Sequence, residues 1–258
     1  MEPDRNHLGQ PVGVPLPDWS ARLLPPRTAM SGRFCTVAPL DPEGHAAQLF
    51  AAFAEDRDGR MWTYLPRGPY ASLAEYRAYA DQACRTHDPL VHTIIDNATG
   101  QAVGTASFLR IEPEVGVIEV GSITYSPRLQ RRPAGTEAMY LMMRRVFDEL
   151  GYRRYEWKCN SLNFPSRTAA ERLGFQYEGL FRQAMITRGR NRDTTWFSVI
   201  DEEWPGLRAA FERWLEPANF DAQGQQRRSL GSLRAGTRPV SASSRDRTLT
   251  CSNTKEAS

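Results

Sequence analysis

Residues 115–150 read VGVIEVGSITYSPRLQRRPAGTEAMYLMMRRVFDEL, and the order of signals inside this stretch decides the fold. Val115 to Tyr125 is the longest β-rich run of the chain. Ser126-Pro127 turns it, a loop runs from Leu129 to Gly135, and a strong helix is expected from Thr136 to Leu150. Met139, Met142, Met143, Val146, Phe147 and Leu150 form one apolar stripe, and Gly151 stops the helix. Such a strand–loop–helix unit points the free N–H groups of the first helical turn, and the positive end of the helix dipole, at one spot.

Working outward, similar patterns repeat on both sides. Arg33 to Val37 reads as a strand, Gly44 to Ala54 as a helix, and Ser72 caps a second helix carrying Leu73, Tyr76 and Tyr79. Val91 to Ile95 and Ala102 to Leu109 form a hairpin around the turn Asn97–Gly100. Downstream come a strand (Tyr155 to Cys159) and a helix (Pro165 to Leu173) started by Asn163 and ended by Gly174. Two strands (Phe175 to Thr187, Thr194 to Ile200) and a closing helix (Trp204 to Trp214) follow. The order β-α-α-β-β-β-α-β-α-β-β-α predicts one mixed sheet covered by helices, an α/β (α+β) fold.

The chain has 258 residues, 40% hydrophobic and 24% charged, which suits a soluble globular protein. No apolar run approaches the ~20 residues that span a bilayer, and Met1 to Ser20 lacks the apolar core of a secretory signal. The expected location is cytoplasmic, with no membrane partner. Cys35, Cys84, Cys159 and Cys251 form no C-x-x-C pair, and His7, His45, His87 and His92 show no ligand spacing, so neither metal nor disulfide framework is expected. Residues 1–30 read as an extended arm, 31–218 as the domain, and 219–258 as a disordered basic tail rich in Ser and Arg. The net charge of +3 belongs to that tail: residues 221–258 hold seven Arg/Lys against three acids, leaving −1 for the rest. Nucleic acid is therefore not a required partner, although a basic tail keeps that reading open.

The loop before Thr136 predicts a pyrophosphate site over residues 130–136. Arg131 and Arg132 add charge, while Ala134 and Gly135 add little bulk. Neither a P-loop nor G-x-G-x-x-G is present. The run Gln130-Arg131-Arg132-Pro133-Ala134-Gly135-Thr136 resembles the Q/R-x-x-G-x-G/A motif of the GNAT superfamily of N-acetyltransferases, in the branch of the ribosomal-protein N-terminal acetyltransferases. Pro133 stands where the motif has its first glycine, which removes one N–H donor. Asn163-Phe-Pro-Ser166 and the following Ala169–Phe175 resemble the second half of these enzymes, and the two blocks with the element order cover roughly residues 33–200.

The resemblance implies a single GNAT-like domain whose mostly antiparallel sheet of about seven strands splays open at an acyl-CoA cleft. It implies acetyl-CoA, or another acyl-CoA, as co-substrate, with pantetheine held by the backbone of Ile123, Thr124 and Tyr125. It sets Asn163 and Ser166 beside the pantetheine arm and sulfur, Ser166 as the acid. Glu119 interrupts an apolar run eleven residues before Gln130, a placement resembling the catalytic glutamate of histone-type members, and is taken as the base. The ribosomal-type glutamate after a Phe-Arg-Gln stretch is missing: Phe181-Arg182-Gln183 leads to Ala184-Met185. Trp62, Tyr64, Trp157 and Arg182 are the candidate substrate-pocket walls. The function expected is transfer of acetyl to a primary amine, a protein N-terminus or a small molecule. A non-catalytic acyl-CoA-binding module is the alternative, and the family admits a homodimer.

Overall fold

The structure, a computed structural model, describes residues 4–235. Strands β1 (Asp4–Arg5) and β2 (Pro11–Val12) pair only with each other. The domain follows: β3 (Met30–Ser31), β4 (Cys35–Pro39), α1 (Pro42–Phe53), α2 (Leu73–Ala83), β5 (Leu90–Asp96), β6 (Gln101–Glu112), β7 (Val117–Tyr125) and α3 (Pro133–Arg144). It continues with β8 (Arg154–Asn160), α4 (Phe164–Leu173), β9 (Gln176–Thr187), β10 (Arg190–Ile200), α5 (Trp204–Leu215) and α6 (Leu230–Ala235). Eight strands form one sheet in the order β3-β4-β5-β6-β7-β8-β10-β9. The strand beyond the seven expected is β3, two residues paired to β4.

Every pairing in this sheet is antiparallel except β7–β8, because the α3 crossover returns the chain in the same direction. Capping matches the local chemistry: Asp41, Ser72 and Asn163 each accept a backbone N–H from the first turn of α1, α2 and α4. Helix α3 starts at Pro133 rather than Thr136. Proline is pre-set for the first helical position and has no N–H to lose there. Beyond Arg144 the helix continues as a π turn, Arg145–Glu149.

One sheet face packs on α3, α4 and α5, burying Ile118, Val120, Met142, Tyr155, Phe197 and Phe211. On the other face α1 and α2 bury Leu49, Phe53, Tyr76, Val91 and Ala102. Composition reads disorder from residue 219, yet Asn219 is buried and Leu230 and Leu233 join the main core. Two leucines three apart suffice to seat the short α6, and a segment average hides them. Residues 236–258, the rest of that tail, lie outside the described residues. Among the described residues no helix is long and apolar enough to cross a membrane, and no His/Cys/Asp/Glu group is arranged to hold a metal ion.

Candidate active site

Strands β7 and β8 pair from Val117↔Arg154 to Val120↔Trp157, and no pairing continues beyond. From Gly121 onward the β8-facing edge of β7 has no strand partner among the described residues, so its backbone groups line a V-shaped gap. Register against β6 slips at the same place: Ser107 pairs Gly121 and Thr105 pairs Thr124, so two residues of β7 bulge opposite Ala106. Ser122 takes a positive φ of 49° there. Ile123, Thr124 and Tyr125 line the open edge.

Alternation along the strands decides what flanks the gap. Val120, Tyr155 and Trp157 point into the core beneath α3, so Glu119, Glu156 and Lys158 point to the opposite face. Glu119 lies opposite Glu156 in register, and Lys158 lies opposite Trp196 of β10. These side chains form a ladder. Arg110 donates to Glu119 Oε2 at 2.7 Å, and Lys158 Nζ sits 3.0 Å from the same oxygen and 2.6 Å from Glu156 Oε2. Arg154 holds Glu156 at 2.6 Å and Glu178 at 2.5 Å. Glu119 and Lys158 are 5% and 6% exposed, so the pair is nearly dry. Burial pushes the Glu119 carboxyl up; Lys158 and then Arg110 pull it back. Lys158 Nζ also lies 3.7 Å from the Trp196 ring centroid.

On the α3 face, the Trp157 indole N–H donates to Ser166 Oγ at 3.0 Å, leaving the serine proton free to donate elsewhere. Asn163 Oδ1 accepts the Ser166 N–H, an N-cap bond. Trp157, read from sequence as a pocket wall, is 5% exposed and packs edge-on against Phe175. Glu119 and Ser166 thus flank the point of splay from opposite faces.

At the far end of the gap, the loop before α3 holds fewer free donors than a fan of amides. Arg132 N–H bonds Leu129 O, Gly135 N–H bonds Arg132 O, and Pro133 has none. The N–H groups of Arg131 and Ala134 have no acceptor among the described residues, and Arg131 adopts a left-handed φ of 59°. The Arg131 and Arg132 side chains are exposed and make no ion pair among the described residues. Gln130 braces the loop by donating to Tyr125 O. Arg172 donates to the Thr136 hydroxyl. Gly135 leaves room for the Tyr125 ring: an added Cβ would lie 2.8 Å from that ring.

The other candidate walls do not converge on Glu119. Trp62 is buried in the second core, edge-on to Phe53 and Tyr70. Tyr64 is half-buried on the loop between α1 and α2. Arg182 is exposed on the β9–β10 hairpin, where with Gln183, Asn191 and Asp193 it lines an open cavity of about 620 Å³. The tip of this hairpin reaches back, Arg188 donating to the Gly68 carbonyl of the α1–α2 loop. The sequence reading missed Lys158, Glu156, Arg110 and Trp196. The alternation Tyr155-Glu156-Trp157-Lys158 was a legible signal for an ionic face, but its pairing with Glu119, across a parallel register, was not.

A family model described as an acetyltransferase (GNAT) domain matches residues 35–176. A GCN5-related N-acetyltransferase from Brucella melitensis is 48% identical with a TM-score of 0.84, covering 85% of this chain and 100% of that one. A probable acetyltransferase of the GNAT family from Chromobacterium violaceum is 37% identical with a TM-score of 0.70, covering 76% of this chain and 98% of its own. The uncharacterised N-acetyltransferase p20 of Bacillus licheniformis is 31% identical over 114 residues; the match spans 44% of this chain and only 64% of that relative.

Proposed function

The chain belongs to the GNAT acetyltransferase family, and from that membership we propose that it moves an acetyl group from acetyl-CoA to a primary amine, a protein N-terminus or a small molecule. The reading extends to the cytoplasm as its working compartment. The observation that carries it is the gap opening between β7 and β8 after Val120 and Trp157, with Glu119 on one face and the Ser166 hydroxyl on the other.

In this mechanism the amine approaches from the Glu119 face and attacks the thioester carbonyl carbon held in the gap. The C–N bond forms, the C–S bond breaks, and the amine proton passes to Glu119. The unpaired edge of β7 offers a backbone N–H to the developing oxyanion. Ser166, its oxygen held by Trp157, donates to the departing sulfur, which takes its proton from solvent through this hydroxyl. Pantetheine lies along Ile123 to Tyr125 as an added strand. The Arg131 and Ala134 amides, with the Arg131 and Arg132 side chains, hold the diphosphate.

The test mixes the protein with acetyl-CoA and a panel of peptide α-amines, lysine amines and small amines, following thiol release and product mass. Thiol release is expected, reduced about 10²-fold or more in kcat by Glu119→Gln, and reduced also by Ser166→Ala. Absence of coenzyme A binding by calorimetry at large excess sinks the proposal. The engagement of Glu119 by two cations favours a second reading, acyl-CoA binding without turnover; binding with no thiol release from any amine selects it.

A further inference from the structure

We infer that Lys158 is the positioning residue that keeps Glu119 ionised and ready to take a proton, by standing as a shared cation between Glu119 and Glu156. The inference rests on the proposed role of Glu119 as base and explains how that carboxylate works in a dry site.

Glu119 and Glu156 lie directly opposite on adjacent parallel strands, whose spacing is about 4.8 Å. Both are under a tenth exposed. Two carboxylates so placed repel, and one would hold a proton unless a cation intervened. Lys158 supplies it, with Nζ 3.0 Å from Glu119 and 2.6 Å from Glu156, bonded to one Oε2 of each. The Trp196 ring at 3.7 Å backs the ammonium from the side of β10.

All the charged neighbours fit this arrangement. From β6, Arg110 reaches Glu119, but it is half exposed and its field is screened. From β8, Arg154 serves Glu156 and Glu178 and does not reach Glu119. From β10, Arg192 is close enough to Glu119 to feel its charge, yet its Nε has no partner among the described residues. Lys158 is the buried cation in contact with both carboxylates. When Glu119 takes the amine proton, Lys158 keeps its 2.6 Å contact to Glu156, so the ammonium is never left alone. A single ion pair lacks that property.

The experiment reads Glu119 directly, with no acceptor needed. The full chain is labelled with ¹³C-glutamate, and the Glu119 carboxyl is titrated by NMR, its signal assigned through Glu119→Gln. In Lys158→Met the midpoint is expected to move up by about one pH unit or more. In Lys158→Arg it stays near the parent value, and in Glu156→Gln it moves down. An unchanged midpoint in folded Lys158→Met overturns the inference; should that variant not fold, a midpoint in Glu156→Gln that fails to fall does the same. Kinetics then separate this failure from failure of the base assignment. If Glu119→Gln is impaired but the acid limb of the pH–rate profile is the same in Lys158→Met and parent, the present inference alone is wrong. If Glu119→Gln is fully active, the base assignment falls, and this inference with it.

Discussion

At the scale of single residues, several buried groups carry polar work outside the cleft. Glu137 on α3 accepts the N–H groups of Arg33, Phe34 and Cys35 at 2.6–2.8 Å, which ties the start of β4 to the first turn after the loop. His92 on β5 is fully buried, its Nδ1 near Leu90 O and its Nε2 without a partner among the described residues. Burial first, and the Arg145 cation second, push its imidazole down to about 4. The unfolded chain therefore binds a proton near pH 6.5 that the folded chain refuses until about pH 4. Stability from this residue is complete above that window and is lost as pH falls through it, by roughly 3 kcal/mol. Urea unfolding should show that loss between pH 7 and pH 4, and His92→Gln should remove this part of the slope. Parallel pH dependences in the two proteins would refute the assignment.

At the scale of elements, the junction of β7 and α3 is held by packing. The Tyr125 hydroxyl donates to Gly135 O at 2.8 Å, and its ring fills the space over that glycine. Gly135→Ala sets two effects against each other. Alanine favours the helix by up to about 1 kcal/mol, while an overpacked contact costs about 1–3 kcal/mol. With a Cβ placed 2.8 Å from the Tyr125 ring and 3.4 Å from Leu129 O, the clash wins. Thermal unfolding is expected to show a lower Tm; a rise would mean the ring yields without cost. Because the same residue shapes the loop proposed to hold the diphosphate, weaker coenzyme A binding should accompany the drop.

At the scale of the whole molecule, two distant pieces of chain meet. One is the loop between α1 and α2; the other is the β9–β10 hairpin, whose Arg188 touches Gly68 across 120 positions. If amine acceptors enter between them, Arg188→Ala loosens that contact without touching the loop at α3. A lost exposed hydrogen bond of about 1 kcal/mol predicts a roughly fivefold rise in KM for the amine and no change in KM for acetyl-CoA. Steady-state kinetics with each substrate varied in turn checks it, and a change confined to acetyl-CoA would contradict it.

What the sequence determined by itself was local and periodic. The apolar stripe Met139 to Phe147, the caps at Ser72 and Asn163, the glycine stops and the alternation of β7 and β8 are written in short spacings, because helix and strand periods are properties of neighbouring residues. The same spacings made Glu119 visible as an acid in an apolar run. Tertiary structure decided the rest. Lys158, Glu156 and Arg110 meet Glu119 only because strands far apart in sequence come into one register. Leu230 and Leu233 become core only once α6 finds its seat, and Trp157 becomes the partner of Ser166 rather than a pocket wall. Electrostatic and packing energies depend on distance in space, and a linear pattern does not hold those distances.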